Sequence, residues 1–353
     1  MVDLDLDAAP VMLPCPLCLH AAYPLSAPFD GYVEGYRVSI YGCRNCNASF
    51  SSRLDVPTWL YDSIYEDAEN ITGYNRYDRY LKDVVDHPAP LDYLAEADMP
   101  YWFVRQFMLG DGISTDASVV ELGCGTGYLT YALRCAGYAC VGVDVSEVAI
   151  ARAREIFGHP EWFMSTEEFK ASAVAVDLVI GLELVEHVPD PRSFVAEAMA
   201  MIRPWGAVLL STPNRDAWPR HVIWASDPPP VHLFWLGRDS FRAIGKACMA
   251  QVVFPECICA SAGVGDASGR TDPEMWPPTF TADRHLSPAV RRTRELRSRA
   301  MARLGKALRS AADRIDRPFL RALPGINNAE GECETLAVVL RHTAPPAHIG
   351  GTE

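Results

Sequence analysis

Apolar and polar positions sort much of the chain into elements before any chemistry is considered. From residue 32 to 41 they alternate, which is the period-two pattern of strands. Trp59, Leu60, Tyr61, Ile64 and Tyr65 recur at helical spacing and read as the packing face of a helix. Tyr74, Tyr77 and Tyr80 follow at three-residue intervals with Arg76 and Arg79 between them. They give a second helix a mixed aromatic and cationic face. Residues 119–122 form a short apolar run that ends in three closely spaced glycines, and residues 128–135 then have helical spacing. A second strand is predicted over 140–143. Strand, glycine turn, helix and strand in this order open a doubly wound sheet, with an anion- or nucleotide-binding turn at the helix start.

The C-terminal half carries two further helices. Asp239 or Ser240 is a good cap for one that runs to about Cys248. Ser287-Pro288 is a good start for another, and Leu304, Leu308, Ala311 and Ile315 continue it at spacings of 4, 3 and 4.

Composition narrows the class. The chain has 353 residues, 49% of them hydrophobic, enough for about two domains. A net charge of −13 argues against a nucleic-acid backbone as the main partner. No apolar run reaches the roughly 18–20 residues of a membrane span. The acidic start MVDLDLD does not resemble a secretory leader, so a cytoplasmic location is expected.

Eleven cysteines need an explanation that a disulfide framework does not give in a reducing compartment. Cys15-Pro-Leu-Cys18 and Cys43-Arg-Asn-Cys46 have the paired spacing of a zinc ribbon, with two thiolates from each turn. Four cysteines leave no open coordination position, so this zinc is expected to be structural. His20 reads as a surface histidine. Cys124, Cys135, Cys140, Cys248, Cys257, Cys259 and Cys333 read as small buried hydrophobes.

The glycine turn is Gly123-x-Gly125-x-Gly127, preceded by Glu121, and the second strand ends in Asp144. A dinucleotide fingerprint would space its glycines differently, whereas a carboxylate about 20 residues past the loop suits the hydroxyls of an adenosine ribose. This segment resembles motif I and the following acidic motif of class I S-adenosylmethionine-dependent methyltransferases. Further stretches extend the resemblance: Asp177-Leu-Val-Ile-Gly181 as fourth strand, Leu182-Glu183-Leu-Val-Glu186-His187-Val-Pro after it, and Arg203-Pro-Trp-Gly206 turning into a fifth strand over 207–211. The combination is similar to ubiquinone-pathway O-methyltransferases and to bacterial sugar and glycan methyltransferases. It implies a third strand over 161–164, a sixth over 251–260 and an antiparallel last strand over 334–342. Two departures stand out. After the third strand there is no acid for the adenine amino group, so Ser165 or a backbone group is expected there. Gly181-Leu-Glu-Leu replaces the Asn-Pro-Pro-aromatic signature of base-methylating enzymes.

The resemblance implies that Gly123, Gly125 and Gly127 approach the methionyl part of the cofactor. Glu121 meets its polar end and Asp144 its ribose, with Val145, Ser165 and Gly181 beside them. It implies that the helix carrying Arg76 and Arg79 caps this pocket or else is a plain surface helix. His187, His221 and His232 are the proton acceptors on offer, though His187 can equally hold its loop. Some 70 residues separate the last two strands, and the insertion is expected to emerge on the catalytic face. Residues 286–325 hold 11 basic and 3 acidic side chains. Three readings of this basic helix stay open: it packs on the core, it lies on an anionic membrane surface through residues 288–321, or it clamps a phosphorylated substrate.

The expected architecture is α/β. It has a seven-stranded Rossmann-like methyltransferase sheet, an N-terminal zinc ribbon and a helical insertion before the last strand. The boundaries are 1–56 for the ribbon, 57–112 for a helical lid and linker, 113–262 plus 331–345 for the core, and 263–330 for the insertion. The expected function is S-adenosylmethionine-dependent methylation of a sugar, nucleotide-sugar or glycan hydroxyl or carbon. The alternative is O-methylation of a quinone-like or natural-product small molecule. Methylation of ribosomal RNA and a non-catalytic scaffold are the more distant readings.

Overall fold

The computed structural model describes residues 11–71, 73–172, 175–218, 228–256, 278–288 and 333–343. Its N-terminal part is built from very short strands: β1 Leu13–Pro14, β2 Ala21–Pro24, β3 Phe29–Asp30, β4 Arg37–Val38, β5 Ile40–Cys43 and β6 Ser49–Ser51. Strands of two to four residues bury little on their own. What they surround is a small centre of Cys15, Cys43, Cys46, Ala22 and Ala48, all fully buried. A late segment completes this sheet. Strand β12, Phe234–Trp235, pairs antiparallel with β6, so the order is β1-β2-β5-β6-β12.

Four helices follow: α1 Leu60–Glu66, α2 Asn75–Asp86, α3 Pro90–Ala97 and α4 Met99–Gly110. Leu60 and Ile64 of α1 are buried, as the spacing predicts. Two polar ties hold the first two helices to the core. Ser146 donates to Asp62 of α1 at 2.5 Å, and Arg152 pairs with Asp78 of α2.

The core is one seven-stranded sheet. Its members are β7 Ser118–Leu122, β8 Ala139–Asp144, β9 Phe163–Ser165, β10 Val176–Leu182, β11 Ile202–Pro213, β13 Ala250–Val253 and β14 Thr335–His342. The order is β13-β14-β11-β10-β7-β8-β9. The pairs among β9, β8, β7, β10 and β11 are parallel, and β14 runs antiparallel between β11 and β13. The run Leu178-Val-Ile of β10 is buried throughout, as a strand covered on both faces requires. Helices α5 Tyr128–Cys135, α6 Glu147–Phe157, α7 Thr166–Ser172, α8 Pro191–Met201 and α9 Arg238–Ala247 complete the layers.

Several expectations shift locally. The third strand begins at Phe163, because Pro160 fixes a tight helical turn over 160–162. The sixth strand stops at Val253. Helix α9 starts after Gly237, and Ser240 accepts from the Gly237 N–H at 3.2 Å from inside the first turn rather than before it. Cys135 is exposed at the end of α5, while Cys124 and Cys140 are buried as expected. Cys257, Cys259 and His221 lie outside the described residues, as does the basic helix beyond Pro288. The described piece of the insertion crosses the N-terminal part, where the Thr279 and Phe280 N–H groups donate to the Tyr32 carbonyl. Among the described residues no helix is long and apolar enough to cross a membrane.

Candidate functional site

The two cysteine turns fold alike. Leu19 and Asn47, each directly after the second cysteine of its pair, adopt the left-handed backbone with φ of 64° and 54°. This aims both thiols of each turn at one point. The sulfurs of Cys15, Cys18, Cys43 and Cys46 all lie within 4.8 Å of one another, with Cys15 to Cys46 at 3.6 Å and Cys18 to Cys43 at 3.5 Å. Four thiolates around zinc at about 2.3 Å stand about 3.8 Å apart, so the set has tetrahedral dimensions. None of the four is in a disulfide. Close contact with Cys46 favours a thiolate at Cys15.

A cavity of about 690 Å³ opens at the carboxyl ends of β7, β8 and β10, beneath α1 and α2. Gly123 and Gly125 line it, and Gly127 does not. At Gly127, φ is +80° and a Cβ would lie 2.3 Å from the Phe163 ring, so this glycine serves helix-to-strand packing. At Gly125 a Cβ would instead meet the hydroxyl end of Tyr65, which covers the loop from α1.

Asp144 ends β8 and is wholly buried. Its Oδ2 accepts from the Gly125 N–H and its Oδ1 from the Ser146 N–H, both at 2.8 Å. Burial raises its carboxyl, and these N–H bonds oppose that shift. Val145 lines the cavity beside it. Ser165 does not, because its hydroxyl and N–H are both engaged with Glu168. Thr166 and Lys170 of α7 reach the wall instead. Gly181 is also off the cavity, where a Cβ would press on Leu210 at 3.0 Å.

The opposite end of the same cradle is acidic and cationic together. Burial pushes the Glu121 carboxyl up to about 8, even with the Thr130 hydroxyl donating to it at 2.5 Å. Burial likewise pushes Glu183 up to about 7. Its Oε1 accepts from the Ser211 hydroxyl at 2.8 Å, and its own N–H donates to the Ser211 carbonyl at 3.0 Å. These bonds hold Glu183 at a φ of +47°, directly after β10. Arg76 of α2 faces them. Its Nη2 donates to the Tyr77 hydroxyl at 2.7 Å and its Nη1 lies 3.5 Å from Asp98, while its buried Nε has no hydrogen-bond partner. An unpartnered guanidinium N–H beside Asp98 and Glu183 suits the carboxylate and ammonium of a free amino-acid end. Arg79, on the same helix, does not line the cavity.

His187 and His232 meet on the far wall with ring centroids 4.7 Å apart, and Nδ1 of His187 lies 3.3 Å from the Tyr61 hydroxyl. Burial lowers His187 to about 4 and His232 well below its usual value, so both rings are neutral near pH 7. Glu186, His187 and His232 bring donor atoms within 4.8 Å of one another. Sequence reasoning gave Tyr61 a packing role and gave Glu183 and Asp98 none. Glu183 carried one available signal, its place directly after the fourth strand. Asp98 had only the signature of a helix cap before Met99-Pro100, a role it does fill.

Residues 102–248 match the model of a methyltransferase domain family. Ubiquinone biosynthesis O-methyltransferase of Aromatoleum aromaticum is 40% identical over 28% of this chain and 44% of its own. The enzyme of the same description from Methylococcus capsulatus is 35% identical over 31% of this chain and 49% of its own. The chain thus spans about half the length of the curated relatives it matches. Among solved structures, magnesium protoporphyrin IX methyltransferase from Synechocystis PCC 6803 with bound SAM aligns at 18% identity and a TM-score of 0.36, covering 58% of this chain and 94% of that one. The methyltransferase-domain match and the O-methyltransferase relatives thus fall on the seven-stranded core that carries the glycine loop and Asp144.

Proposed function

We propose that this chain binds S-adenosylmethionine and transfers its methyl group to a hydroxyl oxygen of a small, largely apolar acceptor of quinone-like or natural-product type. The observation that carries this reading is the union, in one cavity, of the glycine loop and Asp144 with a neutral His187 in contact with the Tyr61 hydroxyl. The O-methyltransferase relatives overlap the same core and favour this acceptor over the sugar or glycan expected above. Tyr61, Pro213 and Trp218, which line the cavity with His187 and His232, give an aromatic and apolar surface, which suits a ring better than a polyhydroxylated sugar.

When bound, the cofactor supplies an activated sulfonium methyl. Asp144 retains lone pairs to accept from both ribose hydroxyls, and the Gly123 to Gly125 backbone allows close approach. Arg76 binds the amino-acid carboxylate, and Glu121 and Glu183 face the ammonium. His187 takes the acceptor's proton as its oxygen attacks the methyl carbon. Its contact with Tyr61 fixes which ring nitrogen is left for that task. Alignment of oxygen, carbon and sulfur is the main remaining contribution of the protein. Cys15, Cys18, Cys43 and Cys46 hold a structural zinc that supplies no chemistry to the transfer.

Calorimetric titration with S-adenosylmethionine tests the first half of the proposal. Incubation with labelled cofactor and either catechol-bearing rings or nucleotide-sugars tests the second. Label on phenolic oxygen supports the reading. Absence of cofactor binding, or label on sugars alone, overturns it.

A further inference from the structure

We infer that the cysteine-rich module is a working wall of the acceptor site, and that its zinc fixes the position of His232. His232 sits in the middle of a buried strap over residues 229–237, which is held at its edges. On one side the N-terminal module grips it repeatedly. The Tyr32 N–H donates to the Pro229 carbonyl at 2.7 Å, and the Ser51 N–H to the Leu233 carbonyl at 2.8 Å. Strand β12 within the strap pairs Phe234 with Phe50 and Trp235 with Ser49. Just beyond the strap, the Ser240 hydroxyl donates to the carbonyl of Cys46 itself at 2.8 Å, in a buried position. On the other side, the Leu233 and Phe234 N–H groups both donate to the Glu186 carbonyl, at 2.9 and 3.1 Å. That carbonyl belongs to the residue before His187.

The chain of support is therefore short and continuous. The Cys43 and Cys46 turn runs directly into β6, β6 carries β12, and β12 follows His232 by two residues. A second route runs through Asn47, whose side-chain amide donates to Asp216 Oδ1 at 2.7 Å. The other oxygen of Asp216 accepts from the Arg238 N–H at 2.7 Å, at the far end of the strap. Packing agrees with the hydrogen bonds. Cys15, Cys43, Cys46 and Phe50 belong to the same continuous apolar cluster as Leu233, Phe234 and Phe241. The glycine loop receives none of these hydrogen bonds, because Gly125, Asp144 and Ser146 bond to one another and to Asp62 of α1.

A metal that tethers four points of the chain stabilises whatever those points support. Withdrawing it frees β6, and the strap loses one of its two edges. His232 then leaves its fixed contact with His187, while the glycine loop is untouched. Asn47, Ser51 and Ser240 are thus positioning residues. The acceptor role of His232 rests on the function proposed above, whereas the mechanical coupling does not.

The test is amide hydrogen exchange on the full chain with zinc bound and after chelation, with imidazole nitrogen NMR of His187 and His232 on the same samples. Zinc removal should accelerate exchange at Ser51, Leu233 and Phe234 by more than about tenfold while Val119 to Glu121 keep their protection. The His232 resonance should broaden or move. Asn47→Gly keeps all four cysteines and tolerates the left-handed backbone. It should retain one zinc and still shift the His232 resonance, with exchange rising at Arg238. Unchanged exchange in the strap, or loss of protection across the whole sheet together, overturns the inference, as does an Asn47→Gly spectrum identical to the parent. S-adenosylmethionine binding, measured by calorimetry on the parent protein, reports separately on the proposed function. Its absence would sink that function and leave the exchange result standing.

Discussion

The two halves of the cavity are made in different ways. The cofactor half comes mainly from one unbroken stretch, from Val119 of β7 to Ser146 at the start of α6, with the lid of α1 and α2 laid over it and Glu183 added from the end of β10. The acceptor half is gathered from Tyr61, His187, Pro213, Trp218, His232 and Thr335, which no local segment unites. A contiguous site is specified by turn geometry and short-range bonds. A gathered one depends on sheet order and on the ribbon. Substitutions in the first half should therefore change the loop or cofactor affinity, and substitutions in the second should leave both almost unchanged.

The severest test of this contrast is Gly127→Ala. Its Cβ would lie 2.3 Å from the Phe163 ring at a φ of +80°, so overpacking and a strained backbone together should cost about 3 kcal/mol. Urea denaturation would read this as a lower midpoint with an unchanged slope. Gly125→Ala should cost about 1 kcal/mol, because its Cβ meets only the movable end of Tyr65. It should nonetheless weaken the cofactor more than any other change in the loop. Equal stability losses at the two positions would erase the distinction between a packing glycine and a ligand glycine.

Next in size is Asp144→Asn. One oxygen becomes a donor facing the Gly125 or Ser146 N–H, so titration should find S-adenosylmethionine weakened by about 30-fold, near 2 kcal/mol.

Glu121 offers a smaller effect with a definite sign. Its carboxyl is raised to about 8 in the folded protein, against about 4.3 in an unfolded chain. The folded state holds this proton more tightly, so the stabilisation is complete below about pH 4.3 and is lost as pH rises through about 8. Glu121→Gln should flatten that part of the stability profile, measured by denaturation at a series of pH values. A profile parallel to the parent would mean that Glu121 is ionised in the fold.

The smallest expected change is Tyr61→Phe. It should alter cofactor affinity by less than about twofold while moving the His187 imidazole signal. A large loss of cofactor affinity would show that the two halves are not separable.

The same contrast explains what could be read from the residues. The glycine loop, α5 and Asp144 were legible because each depends on neighbours a few positions away. The four cysteines were legible because metal geometry dictates their spacing. Strand β12 was not, since two residues have no period and its partner β6 lies far away in the chain. Ser165 looked like an adenine contact because its place after β9 suggested one. Its use as the cap of α7 depends on how Glu168 turns back. Glu183 was visible as a residue, but its left-handed backbone is imposed by Ser211 on the adjacent strand. Cys135 sits in an apolar stretch and still faces water, because the end of a helix can turn any residue outward.

The sheet's strand order also governs how the protein can be born. Strand β14 fills the gap between β11 and β13, yet it leaves the ribosome long after both. At about 5–20 residues per second, the stretch from 214 to 334 takes roughly 6–24 s to synthesise. Throughout that interval β11 offers the nascent chain an unpaired apolar edge. Chaperones that bind extended apolar segments have this window, and a ribosome stalled within it would present an adhesive half-sheet.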